Sequence, residues 1–87
     1  MVWKIELSSG AEKALGKLGA AEAKRIAQGL RAIVELDDPR LRGKAMVGNY
    51  AGYWRYRLGD YRVIARIEDG RMIIVVIAVG HRREVYR

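Results

Sequence analysis

The chain contains no cysteine and a single histidine. Without cysteine there is neither a disulfide framework nor a thiolate metal site, and His81 alone cannot build a histidine-rich metal cluster. Long hydrophobic runs are missing too, since no apolar stretch reaches the about 18 residues of a membrane span. Met1-Val-Trp-Lys-Ile-Glu6 alternates in polarity, unlike the apolar core of a signal peptide, so the expected location is cytoplasmic and no membrane partner is expected. There are no internal repeats, low-complexity segments or linkers. No metal or organic cofactor is implied.

Acidic side chains are scarce in one half only. Residues 1–39 hold six basic and six acidic side chains, whereas residues 40–87 hold eleven basic and four acidic, which accounts for the whole net charge of +7. Ten of those eleven are arginine, whose planar fork suits bidentate phosphate contacts. A basic, arginine-rich half on a neutral scaffold points to nucleic acid or to an acidic protein partner. Eighty-seven residues with 51% hydrophobic content make one small domain, residues 1–87, large enough to bury roughly 60% of its unfolded surface.

What is present is organised around a meander. Tyr61-Arg-Val-Ile-Ala-Arg-Ile-Glu68 and Arg71-Met-Ile-Ile-Val-Val-Ile-Ala-Val79 flank Asp69-Gly70, a signal for a two-residue type I′ hairpin. That turn sets Glu68 opposite Arg71, Ile67 opposite Met72, Val63 opposite Val76 and Arg62 opposite Ile77. Tyr61, Val63, Ala65 and Ile67 then share an apolar face with Met72, Ile74, Val76 and Ala78. Upstream, Tyr53-Trp-Arg-Tyr-Arg-Leu58 alternates as well, and Gly59-Asp60 reads as a second tight turn that pairs Leu58 with Tyr61, Arg57 with Arg62 and Arg55 with Ile64. Trp54, Tyr56 and Leu58 join the apolar face as core residues, while Arg55, Arg57, Arg62 and Arg66 gather on the other. Like charges opposed across a sheet are destabilising by on the order of 0.2–1 kcal/mol per pair, so this face asks for an anion.

The apolar face needs a cover, and the first half supplies it. Val2 to Leu7 reads as a short strand of the same sheet, with Trp3 in the core. Ser9-Gly-Ala-Glu12 has the form of a capping box. Ala11, Ala14, Leu15 and Leu18 follow helical spacing, with Gly19 as the C′ stop. A second helix carries Ala23, Ile26, Ala27, Leu30, Ile33 and Val34 on one stripe and ends at Asp37-Asp38-Pro39. Arg40 to Gly52 shows neither period and reads as an irregular basic loop. The fold class is α+β: a strand, an αα-hairpin, then a three-stranded antiparallel meander, with the helices on one face of the sheet. Gly80 breaks the last strand, and a basic tail leaves the sheet where the Arg57–Arg62 pair sits.

Tyr53-Trp-Arg-Tyr-Arg-Leu-Gly-Asp-Tyr-Arg-Val-Ile64, the Asp-Gly hairpin and Val79-Gly-His-Arg-Arg-Glu-Val-Tyr86 together resemble the RelE side of the RelE/ParE toxin superfamily of bacterial and archaeal toxin–antitoxin pairs. The resemblance spans essentially the whole chain. It implies a ribosome-dependent endoribonuclease that enters the A site and cuts mRNA, and whose 2′-hydroxyl attack leaves a 2′,3′-cyclic phosphate and a 5′-hydroxyl. It also implies a cognate RelB-like antitoxin, with operator DNA bound only through the antitoxin complex. The antitoxin is expected either to displace the basic tail or to cover Arg57 and Arg62.

Carried over residue by residue, the family's basic pair falls on Arg55 and Arg57, its strand-start arginine on Arg62, the arginine after the last strand on Arg82 and the C-terminal tyrosine on Tyr86. Arg42, Lys44, Arg66 and Arg83 are candidate RNA contacts. The prototype has lysines where this chain has Arg55 and Arg57, and arginine is poor at exchanging a proton. This chain also has His81 beside Arg82, a group titrating near ~6.5. Tyr86 and His81 both stand as candidate bases. The resemblance to the superfamily also implies an alternative, a ParE-like inhibitor of DNA gyrase that shares the fold without being a nuclease, and a third class is a non-catalytic nucleic-acid-binding module.

Overall fold

Alternation of apolar residues in the C-terminal half builds the sheet, and the computed structural model describes it over residues 3–81. Its strands are β1 (Lys4–Leu7), β2 (Lys44–Ala45), β3 (Trp54–Leu58), β4 (Tyr61–Glu68) and β5 (Ile73–His81), arranged β1-β5-β4-β3-β2. β3, β4 and β5 form the antiparallel meander, and β1 adds parallel to β5. The parallel pair follows from the crossover: the chain leaves β1, makes both helices, and returns to the sheet from its far side.

Helices α1 (Ser9–Gly16) and α2 (Ala20–Val34) cover one face. Ala11, Ile26, Leu30 and Ile33 interlock there with Tyr56, Val63, Ala65, Ile74, Val76 and Val79 in one buried cluster closed by Trp3. The fit is tight at two glycines. A Cβ on Gly29 of α2 would lie 2.6 Å from a Leu58 methyl, and one on Gly43 would lie 3.0 Å from the Tyr56 ring. Tyr56 is 1% exposed, and its hydroxyl donates to the Pro39 carbonyl at 2.9 Å. Burial holds the phenol neutral and pushes its pKa up to about 12.

Several local expectations are corrected. The α1 cap is Ser8, not Ser9: the Ser8 N–H donates to the Val76 carbonyl as the end of the β1–β5 pairing, and its Oγ then accepts from the Ala11 N–H at 3.1 Å. Gly19 does not terminate α1; with φ −65° and ψ 159° it is the N-cap of α2. The segment 40–52 is not wholly irregular, since it holds two 3₁₀ turns, Pro39–Arg42 and Gly48–Tyr50, around strand β2. β5 passes through Gly80 without a break and pairs to His81.

The largest difference lies between β4 and β5. Asp69–Arg71 form a 3₁₀ turn followed by Met72 in the left-handed region, φ 53° and ψ 47°, so the loop has four residues instead of two. Glu68 therefore faces Ile73, and Ile67 faces Ile74. Two bonds favour this longer turn. The Met72 carbonyl accepts from the Lys4 N–H at 3.0 Å, docking β1, and the Asp69 carboxylate binds the Arg40 guanidinium. A register shift between Ile64 and Ala65 then skips Ile77 and sets Ile64 opposite Ala78, Val63 opposite Val79 and Arg62 opposite Gly80. A one-residue shift swaps faces, so Val79 joins the core in place of Ala78.

Candidate nucleic-acid interface

Because Trp54, Tyr56, Leu58 and Val63 turn toward the helices, the residues between them turn away. The observed β3–β4 register is the expected one, with Arg57 opposite Arg62 and Arg55 opposite Ile64. β2 extends it by placing Lys44 opposite Arg55. Lys44, Arg55, Ile64 and Ala78 form one row across the second face, and Arg57, Arg62 and Gly80 form the next. Four cations thus occupy two adjacent rows.

This face is not simply solvated. Ile64 is wholly buried on it yet lies outside the helix-side cluster, and Nε and Nη1 of Arg62 are buried with no hydrogen-bond partner among the described residues. Gly80, opposite Arg62, adds no side chain to that spot. Buried donors without a partner among the described residues are costly to the fold, and an anion that reaches them meets a group already stripped of part of its water.

The cations at the other end of the sheet are used up locally. Arg66 binds Glu68 through Nε and Nη2 at 3.2 and 2.7 Å, and Arg71 joins Glu68 at 2.8 Å and Glu6 at 3.5 Å. Arg40 bridges Asp38 and Asp69 and lies 5.8 Å over the Trp54 ring. The hydrogen bonds from Arg66 and Arg71 hold the Glu68 carboxyl below its ordinary pKa, and the bond from Arg40 does the same for Asp69. Arg66, expected among the RNA contacts, is therefore engaged by its neighbour. Among the described residues neither Arg57 nor Arg62 has an ion pair.

His81 is placed elsewhere. Its ring meets Tyr61 edge-on, centroids 5.9 Å apart at 79°, and both border a hollow of about 360 Å³ with Lys17 and Leu18 on the helix side. The structure does not bring His81 to the face that carries Arg62. Arg42 is exposed on the 3₁₀ turn after α2, apart from the two rows. Arg82, Arg83 and Tyr86 lie outside the described residues.

A cleft of about 550 Å³ was not anticipated from the sequence. It opens beside the first row and is lined by Lys44 and Arg55 together with Met46, Val47, Asn49 and Tyr50. The pairing of Gly48 and Gly52 around Tyr50 was the available signal, since both adopt positive φ, 67° and 94°, and so shape a defined turn. Among the described residues no group of three His, Asp or Glu side chains is placed to hold a metal, and no helix is long and apolar enough to cross a membrane.

Comparison with known proteins gives a consistent picture. The family model for the ParE toxin of the type II toxin–antitoxin system parDE matches residues 5–86. Toxin RelG of Mycobacterium tuberculosis is 36% identical over 50 residues, a match that spans 58% of this chain and 58% of that toxin. Among solved structures, the RelBE2 toxin–antitoxin complex of M. tuberculosis aligns with a TM-score of 0.85 at 24% identity, covering 97% of this chain and 95% of that one. The archaeal RelE–RelB complex of Pyrococcus horikoshii OT3 aligns with a TM-score of 0.72 at 26% identity, covering 98% and 100%.

Proposed function

The chain belongs to the ParE-toxin family within the RelE/ParE superfamily of type II toxins, and on that premise we propose that it is a ribosome-dependent endoribonuclease that cuts mRNA in the A site. The observation that carries this reading is the pair of cationic rows, with Arg57 opposite Arg62 and Arg62 Nε and Nη1 without a partner among the described residues. A gyrase inhibitor that only docks on protein has no need of a partly dehydrated guanidinium that has no ion pair among the described residues.

In the proposed reaction the 2′-oxygen of one nucleotide forms a bond to the adjacent phosphorus as the bond to the 5′-oxygen of the next breaks. The 2′-hydroxyl proton passes to a base and a proton reaches the departing 5′-oxygen, leaving a 2′,3′-cyclic phosphate and a 5′-hydroxyl. Negative charge builds on the phosphoryl oxygens, and fixed donors that need no reorganisation stabilise it. Arg57 and Arg62 supply these donors from the strands, and Arg55 and Lys44 hold the flanking backbone. Arg82 and Tyr86 complete the set by resemblance, with Tyr86 as base. The position of His81 beside Tyr61 counts against the alternative base. A site of arginines without a positioned acid–base pair is weak alone, and this fits a need for the ribosome to orient the RNA.

In this proposal residues 1–87 act as one cytoplasmic toxin domain, neutralised by a RelB-like antitoxin and reaching operator DNA only through it. The solved relatives include RelE–RelB complexes, which supports such a partner. The ParE name of the family model favours one second reading, inhibition of DNA gyrase. Primer extension on programmed ribosomes separates the two. Cuts within A-site codons that require ribosomes are expected; no cutting, together with altered plasmid supercoiling in treated cells, would replace the nuclease with the gyrase inhibitor.

A further inference from the structure

The segment after β2 combines features that the cationic rows do not explain. Val47 is 84% exposed, and with Leu41 it is one of two large hydrophobic side chains that the described surface leaves open. Val47 also lines the cleft beside the first cationic row, so its exposed side chain is open to a ligand there. The segment is also closed on itself by backbone hydrogen bonds. The Met46 N–H donates to the Tyr53 carbonyl, the Ala51 N–H to Gly48 and the Tyr53 N–H to Tyr50, all at 3.0–3.1 Å. Gly48 and Gly52, at positive φ, allow a return this tight.

The result is a preformed cleft of about 550 Å³, inside the roughly 300–1,000 Å³ range of small-ligand sites. Its walls differ in chemistry: Val47, Met46 and the half-buried Tyr50 are apolar or aromatic, Asn49 offers both a donor and an acceptor, and Lys44 and Arg55 bring positive charge. A flat apolar ring attached to a phosphate is the ligand that matches this combination. Lys44 and Arg55 also belong to the first cationic row, so a strand laid along the arginines runs directly past the cleft.

We propose that this cleft is a base-reading subsite, in which one nucleobase of a single-stranded RNA packs on Tyr50 and Val47 while Asn49 bonds its edge and Lys44 and Arg55 hold its phosphate. The proposal rests on the nuclease reading for its biological consequence, namely a preference for particular bases beside the cut. Base–aromatic stacking alone is sequence-tolerant, so the discrimination comes from Asn49.

The test is titration of the ¹⁵N-labelled full chain with RNA trinucleotides that differ at one base, run beside cleavage-site mapping on programmed ribosomes for wild type, Tyr50→Ala and Asn49→Ala. Asn49→Ala keeps the test independent of folding, because that side chain is exposed. The expected result is amide shifts over residues 44–50, a dissociation constant that depends on the base, and roughly tenfold or greater weakening in Tyr50→Ala. Both variants should still cut, with an altered distribution of sites. Shifts confined to the arginine rows, equal affinity for all bases, or a cleft that responds only to an acidic antitoxin would each overturn the proposal. Wild-type cutting with the same site pattern in both variants would do so as well. Base-dependent binding at residues 44–50 without any ribosomal cutting would leave the subsite standing and remove the nuclease reading.

Discussion

The two ends of this sheet carry the same side chain in opposite circumstances. At the β4–β5 turn, Arg40, Arg66 and Arg71 are matched by Asp38, Asp69, Glu68 and Glu6. At the β3–β4 turn, Arg57 and Arg62 oppose each other and neither forms an ion pair among the described residues, Asp60 in the turn included, and Arg62 is partly dehydrated. Arginine count alone therefore says little about function. Pairing divides the cations: those bound to a carboxylate hold the fold together, and those with no ion pair among the described residues remain able to bind an added anion.

The largest effect that would break this division is expected at Arg57. Arg57→Ala should lower cleavage on programmed ribosomes by about 10²–10³, the usual cost of one donor to a transition-state oxyanion, with no loss of melting temperature. A fall in melting temperature that matches the activity loss would make Arg57 a structural residue like those at the other end.

The next effect concerns the fold between the two ends. Tyr56→Phe removes the hydrogen bond to the Pro39 carbonyl and should cost about 1–2 kcal/mol in denaturant unfolding. It should also change the alkaline limb. The Tyr56 pKa is raised from 10.0 to about 12 in the fold, so its contribution is complete below pH 10 and is lost as pH climbs from 10 toward 12. Stability profiles of wild type and Tyr56→Phe should therefore converge over that window.

A smaller change is expected from acid at the paired end. Glu68 and Asp69 have depressed pKa values from the bonds of Arg66, Arg71 and Arg40, so the stability they add is present above the ordinary carboxylate range, 4.5 and 3.8, and disappears as pH falls through their lowered values. Arg40→Ala should melt a few degrees below wild type at neutral pH, and the gap should close in acid, as read by thermal scans. Smallest is Glu68→Gln, which releases Arg66 and Arg71 from their shared carboxylate. If each then gains a phosphate, the slope of log affinity against log salt for single-stranded RNA steepens by up to about 0.7 per contact, and an unchanged slope would show that these arginines lie off the RNA path.

How much of this was readable in the sequence depended on how local the determinant was. Alternation from Tyr53 to Leu58 and the Gly59-Asp60 turn gave the β3–β4 register in full, because a two-residue hairpin leaves no freedom between its strands. Asp69-Gly70 carries the same local signal but sits in a four-residue loop. What lengthens that turn is a docked strand at Lys4 and a clamp from Arg40, partners 68 and 29 residues distant in sequence. The slip at Ile77 that exchanges Ala78 for Val79 in the core has no local signature, since both residues are small and apolar. Of the site, Arg55, Arg57 and Arg62 could be placed by parity, whereas the separation of His81 from them required the skipped residue. Lys44 was named as a cation from composition, but its pairing with Arg55 came from a two-residue strand too short to show a period. The cleft around Tyr50 depends on how a glycine-rich turn closes, which residue types alone do not specify.

The most direct test of the account sets Arg62→Ala beside Arg66→Ala and measures both ribosomal cleavage rate and melting temperature in each. Arg62→Ala should lose cleavage by about two to three orders of magnitude while melting at or above the wild-type temperature, because two buried donors without a partner among the described residues have been removed. Arg66→Ala should keep its cleavage within a few-fold. Equal loss of cleavage in both variants, or a collapse of stability in Arg62→Ala that explains its inactivity, would contradict the division between arginines that bind RNA and arginines that hold the fold.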